Sequence, residues 1–528
     1  MTDYRAQNWH VRKPLARSRR GIVASQNRIA AEAGARVLAA GGNALDAAVA
    51  TGFALAAVEP WNSGLGGIGF MLVYIAKQKR VAVVDFGPVA PQALDPSAYP
   101  LLGGSVTSRD LFDWPAVKDD RNVHGPLSIA VPGHVDGLGL ALERFGTMKL
   151  AAVLQPAIEL AQAGIAVDWF LTLKVATMTK ELARYPVTRD IWLPGGYPPV
   201  TPSGAPLGRL KLKGLSGTLS QLARAGRRDF YEGEIAAAIA KDVKAAGGIL
   251  GSADLRAYCA RVVEPLSTDY HGAQFALAPG LTAGPSMARA LDGLRDLRFR
   301  RNGPHADAFV AYAGVLRKAY AERLSTMGDT ADRRDPSTTT HLSVIDRQGN
   351  MVALTQTLLS VFGSKVVLPS TGILMNNSIM WFDPRPGTPN SLAPGKRPLT
   401  NMCPVIALRG GKPWFAIGAS GGRKIMPAVL QISSFLVDHG LYLEDAFHQP
   451  RIDASEGNFV AVDSRMPLAV RKALERKFSI RVNELVVYPT NYACPSAVLR
   501  DPKGRGEHFG ATDVMSPWSG AVSEDDVR

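Results

Sequence analysis

Thr338-Thr339-Thr340-His341-Leu342-Ser343-Val344-Ile345-Asp346-Arg347-Gln348-Gly349-Asn350-Met351-Val352-Ala353-Leu354-Thr355-Gln356-Thr357-Leu358-Leu359 is the stretch on which the fold is decided. Two runs rich in β-branched and apolar residues, 341–346 and 351–359, flank Arg347-Gln348-Gly349-Asn350, whose Gly-Asn step suits a tight reversal. The pattern predicts a β-hairpin. If the turn is centred on Gln348 and Gly349, Asp346 faces Met351, and counting outward sets Thr340 opposite Thr357. Opposed residues have Cβ atoms about 5 Å apart, which brings the Thr357 hydroxyl within reach of Thr339. Threonines entering a strand are ordinary in themselves, because the residue favours strands; the register makes this run distinctive.

Upstream, a charged, proline-containing stretch (Asp332, Arg333, Arg334, Asp335, Pro336) separates the hairpin from a long region whose residues 146–293 read as mainly helical, most clearly at 150–163, 235–246 and 287–297. Residues 27–57 are rich in Ala, Leu and Val at helical spacing, broken by Gly41 and Gly42, with Asn43 placed to cap a second helix. Apolar strands are expected at 70–75 and 80–86, and beyond the hairpin at 405–408 and 414–417, followed by a helix over 426–438. No internal repeat is present.

The composition, 46% hydrophobic and 20% charged with 52 Gly and 36 Pro in 528 residues, is that of a globular protein. No run of about 18 uncharged apolar residues exists, so no membrane span is expected. Residues 1–20 lack the apolar core of a secretory signal, and the three cysteines, Cys259, Cys403 and Cys494, lie far apart without CxxC spacing. A cytoplasmic protein without disulfides, zinc or other metal fits. The net charge of +14 comes from scattered Lys and Arg, which argues against a nucleic-acid partner and suits a small anionic substrate.

Three motifs compete to carry chemistry. Gly64-Leu65-Gly66-Gly67-Ile68-Gly69 matches GxGxxG but leads from helix to strand, the reverse of a dinucleotide fingerprint, and reads as a close-packed turn. Gly418-Ala419-Ser420-Gly421-Gly422 matches GxSxG between a strand and a helix, with Asp445 and His448 downstream, so Ser420 is a rival nucleophile. The same glycines can instead offer backbone N–H groups to an oxyanion. The third motif is Thr339 with Thr357. A threonine hydroxyl needs an adjacent base, and a free α-amino group serves if the threonine is the first residue of its chain. Thr339 is internal, so that chemistry requires cleavage of the Thr338–Thr339 bond, by attack of the Thr339 hydroxyl on the preceding carbonyl.

At this point the chain resembles the γ-glutamyltransferase superfamily of N-terminal-nucleophile (Ntn) hydrolases. The resemblance rests on Gly41-Gly42-Asn43-Ala44-Leu45-Asp46-Ala47-Ala48, Val58-Glu59-Pro60, Gly64 to Phe70, Asp85-Phe86, Ala90-Pro91, Val131-Pro132-Gly133, Gly248 to Tyr258, Thr339-Thr340-His341, Lys396-Arg397-Pro398-Leu399 and Gly421-Gly422. It implies an α/β (α+β) fold, the four-layer αββα sandwich, and self-cleavage into residues 1–338 and 339–528, which remain together as one Ntn domain. It further implies Thr339 as nucleophile and base, Thr357 as its supporting hydroxyl, Gly421 and Gly422 as oxyanion hole, and no cofactor. A dimer of such heterodimers is compatible with it.

Substrate recognition departs from the family pattern. The arginine that grips the glutamyl α-carboxylate, two residues after the Asp of the Asp-Phe motif, is Gly87 here, and the Asn, Gln and Asp that hold the α-amino group correspond to Leu359, Ser378 and Trp381. The paired serines become Thr400 and Asn401. Losing charge-assisted contacts forfeits on the order of 1.5–3 kcal/mol each. The sequence therefore points to a small acid amide and, within the superfamily, resembles the oxamate amidohydrolase branch, releasing oxalate and ammonia. Thr400, Asn401, Ser378 and Arg423 are the candidate substrate-binding residues. A γ-glutamyl hydrolase or transferase and a β-lactam side-chain acylase are the alternatives, with a binding protein on an inactive Ntn scaffold as the non-enzymatic one.

Overall fold

The computed structural model describes residues 9, 11–103, 114–327, 337–501 and 505–527, without the side chains of 324–327 and 337–338. Two seven-stranded sheets form the centre. The first runs, in spatial order, Gly520–Ser523, Ile22–Ser25, Ser337–Ile345, Met351–Ser360, Ile68–Ile75, Arg80–Phe86 and Arg261–Val263; the second runs Ala16–Ser18, His508–Thr512, Cys494–Arg500, Lys412–Ser420, Val405–Arg409, Ala273–Leu277 and Leu266–Tyr270. All pairings within both are antiparallel.

Three hydrophobic clusters mark the three interfaces of an αββα sandwich. One joins the first sheet to helices Arg28–Ala39, Ala44–Val58, His134–Phe145 and Leu150–Ala163. One lies between the sheets, built from Ile22, Phe70, Leu72, Ile345, Ala353, Ile406, Ala416 and Val498 among others. The third packs the second sheet against helices Gly284–Leu294, Ala306–Met327 and Ile425–Val437. Asn43 caps its helix as expected, accepting from Leu45 and Asp46 while Asp46 answers to the Asn43 amide. The region read as mainly helical also holds the two-stranded pair Ile165–Ala166 and Arg209–Leu210 and, at or next to the edges of the large sheets, Arg261–Val263, Leu266–Tyr270 and Ala273–Leu277. Their alternation is short and half exposed, too brief to override the surrounding helical pattern.

The hairpin forms, but its register differs by one from the expectation. Ile345, not Asp346, pairs with Met351, and Thr340 pairs with Gln356. The cause is local: the Asp346 carboxylate accepts from the Gln348 and Asn350 amides and the Asn350 side chain, and Gly349 adopts φ +84°, giving a three-residue loop with a left-handed last residue. A bulge between Thr338 and Thr340 then shifts the pairing so that Thr338 faces Leu359. That irregularity returns Thr339 to the side of Thr357.

Candidate active site

Thr339 is 4% exposed, and its Oγ1 lies 3.4 Å from Thr357 Oγ1. Thr357 Oγ1 in turn accepts the Leu359 N–H at 2.7 Å, a turn that requires Leu359 to adopt φ +85°. A bulky residue in that region is strained, and such strain concentrates where geometry is held for a purpose. The loop Gly64–Gly69 packs against this strand: a Cβ at Gly67 would stand 2.6 Å from the Thr357 carbonyl oxygen, and one at Gly69 2.5 Å from that of Thr355. The GxGxxG run is thus a close-approach turn that seats Thr357. Thr338 belongs to the same strand by its backbone, while its side chain lies outside the described residues.

Gly421 and Gly422 follow the strand Lys412–Ser420 with φ of +125° and +55° and lead through a short turn into the helix Ile425–Val437. Consecutive glycines of this kind turn backbone N–H groups toward one point at a helix start. Gly421 shares with Thr339 a cleft of about 300 Å³, and Gly422 shares with it a small pocket of about 10 Å³. Thr339 therefore stands at the junction of the two spaces.

The small pocket is walled by Leu359, Trp381, Asn401, Met402 and Ile425. Asn401 Nδ2 is buried and, among the described residues, has no acceptor. The other three substrate-binding candidates stand elsewhere. The Thr400 hydroxyl donates to the Leu281 carbonyl at 3.0 Å. The Arg423 guanidinium binds the Ser455 carbonyl and lies over the Tyr320 ring, 5.5 Å from its centroid. The turn after Gly422 carries this side chain into the layer between the second sheet and the helices, and it lines neither space beside Thr339. Ser378 Oγ is buried but lines neither space. Gly87 is likewise enclosed, its carbonyl accepting from Tyr258 Oη (2.8 Å) and Arg397 Nη1 (3.2 Å).

Ser420 accepts from Gln26 Nε2, whereas the His448 ring accepts the Lys13 N–H at 3.1 Å and Asp445 is exposed. No Ser-His-Asp arrangement is assembled. His341 is also no base: it bridges Thr355 Oγ1 (2.8 Å) and Ser343 Oγ (3.0 Å), and burial pushes its pKa down to about 3. Its ring rests on Gly418, where a Cβ would come within 2.4 Å.

The sequence of the family described as gamma-glutamyltranspeptidase matches residues 30–334 and 330–518. The chain belongs to the gamma-glutamyltranspeptidase family. It is 34% identical over 500 residues to the acylase ACY 1 proenzyme of Pseudomonas sp. (strain SE83), covering 88% of this chain and 87% of that protein. It is 33% identical over 488 residues to the glutathione hydrolase proenzyme of Escherichia coli (strain K12), covering 82% and 81%. The crystal structure of cephalosporin acylase from Bacillus halodurans superposes with a TM-score of 0.84 at 26% identity over 99% of both chains.

Within this gamma-glutamyltranspeptidase-family site, two residues quoted in a motif or passed over carry unassigned weight. Glu59 borders the cleft, accepting from Asn62 Nδ2 (2.8 Å) and Thr340 Oγ1 (3.3 Å). Burial raises its pKa to about 7 against the pull of Lys174, Thr340 and Asn62. Lys174, from the helix Trp169–Ala176, borders the same cleft. Only the Val58-Glu59-Pro60 motif signalled the first; nothing local signalled the second. Among the described residues no cluster of His, Cys, Asp and Glu is arranged to hold a metal, and no helix is long and apolar enough to cross a membrane.

Proposed function

We propose that the chain is a self-cleaving amide hydrolase in which Thr339 is the nucleophile. The Thr339 hydroxyl attacks the Thr338 carbonyl carbon, the C–N bond breaks with the proton passing to nitrogen, and water hydrolyses the resulting ester to give fragments 1–338 and 339–528. The freed amine then accepts the hydroxyl proton when Oγ1 attacks a substrate amide and hands it to the departing amine; water releases the acid from the threonyl ester. Gly421 and Gly422 N–H groups stabilise the oxyanion in both reactions. The carrying observation is Thr339, with Thr357 Oγ1 at 3.4 Å, at the junction of the large cleft and the small pocket. That both the acylase and the glutathione hydrolase relatives are proenzymes supports it.

The acyl half of the substrate is small. Leu359 and Trp381 leave about 10 Å³ beside Thr339, Gly87 offers no cation, and Asn401 Nδ2 is the buried donor with room to receive a carboxylate oxygen. Oxamate, a carboxylate joined directly to a carboxamide, is the smallest acid amide that meets this description. The acylase reading is favoured by a different observation, the 300 Å³ cleft on the other side of Thr339, large enough for a bulky amine half. Three unpaired cysteines support a reducing compartment. Parallel assays of ammonia release from oxamate, anilide release from a γ-glutamyl anilide, and amine release from an acylated β-lactam amine separate the readings; activity confined to the γ-glutamyl anilide refutes the small-acyl assignment.

A further inference from the structure

The helix Trp169–Ala176 starts at Asp168, whose carboxylate accepts from the Phe170 and Leu171 amides and from the Trp518 indole N–H at 2.6 Å. Residues four apart share a helix face, and Phe170 and Lys174 both border the cleft that holds Thr339. The Phe170 ring stacks on Trp518 with centroids 3.7 Å apart and planes 17° from parallel, and Lys174 Nζ stands 4.8 Å from the Phe170 centroid. Among the described residues the Lys174 ammonium makes no hydrogen bond or ion pair; burial lowers its pKa, and the Glu59 carboxylate pulls it up. The other acid on the cleft, Asp513, is engaged by Arg451 at 3.5 Å. Lys174 therefore presents a partly buried cation to the cleft, placed to meet an anionic group of a bound molecule.

The position of that site relative to Thr339 says which half of a substrate it meets. The small pocket holds only about 10 Å³, roughly the space of one water, and cannot take an amine half larger than that. The amine half must occupy the cleft. We infer that Lys174 anchors a carboxylate on the amine half of the substrate amide, so that, in line with the acylase reading and against oxamate, this enzyme cleaves a small acyl group from an anionic amine. The inference rests on Thr339 as nucleophile. Its chemistry adds no reagent: the amide C–N bond breaks, the amine leaves with the proton once held by Thr339, and water supplies the oxygen of the acid.

The experiment measures binding of two amines, 3-aminobenzoate and aniline, by calorimetry to the processed protein and to Lys174→Met and Lys174→Arg variants. The wild type and Lys174→Arg bind 3-aminobenzoate more tightly than aniline, and Lys174→Met loses about tenfold in affinity for 3-aminobenzoate alone, equivalent to ~1.4 kcal/mol. A Lys174→Met protein that binds 3-aminobenzoate as the wild type does, or a wild type that does not prefer it over aniline, overturns the assignment. Each variant is first checked for the two-fragment gel pattern, and Lys174→Gln is measured as a second neutral replacement. Failure of the nucleophile reading shows separately, as a Thr339→Ala protein that keeps its hydrolytic activity while the amine-binding contrast stands.

Discussion

Replacing Glu59 by Gln isolates one buried proton. In the native protein burial raises the Glu59 pKa from 4.5 to about 7. Between those values the folded state binds more protons than the unfolded one, so stability falls as pH rises through this window, and the loss is complete above pH 7. At ~1.36 kcal/mol per decade the full effect is about 3 kcal/mol. Glu59→Gln keeps the shape and the Asn62 contact but cannot ionise. Chemical denaturation of processed wild type and variant at pH ~5 and pH ~8 should therefore show the variant gaining up to ~3 kcal/mol on the wild type as pH rises. His341 and His134, whose pKa values burial lowers to about 3 and about 4, contribute an opposite acid limb that is common to both proteins and cancels in the difference. A separation that stays constant across the window refutes the reasoning.

Thr357→Val removes the hydroxyl 3.4 Å from Thr339 and leaves the Leu359 amide without its acceptor; self-cleavage followed by gel should slow about 10-fold to 100-fold. Gly421→Ala places a Cβ 2.9 Å from Ala493 Cα at a φ of +125°, and hydrolysis should fall by about 100-fold or more as the N–H is displaced. Ser420→Ala should retain activity within about threefold, since its hydroxyl meets Gln26 and no histidine; loss on the scale of a missing nucleophile would restore the GxSxG reading.

What the sequence disclosed and what it withheld divide along physical lines. The hairpin, the helix pair capped at Asn43 and the strand Arg80–Phe86 were legible because period and capping chemistry are local. The one-residue register error came from Asp346, whose carboxylate collects three loop N–H groups and so sets the turn, a choice that apolar alternation does not encode. Two compensating irregularities, loop and bulge, left Thr339 and Thr357 adjacent despite the miscount. Arg423 sits next to Gly422 in sequence, yet the turn there sends its side chain to Ser455. Lys174 borders the cleft shared with Thr339 on a helix held by Asp168 and Phe170 to Trp518, contacts about 350 residues apart that a linear reading has no means to join.

The central claim is tested most directly by N-terminal sequencing and intact mass of an active preparation, beside Thr339→Ala. The account predicts a fragment beginning at Thr339 in the active protein, and one uncut, inactive chain in the variant. A fully active chain with no terminus at position 339 would contradict it.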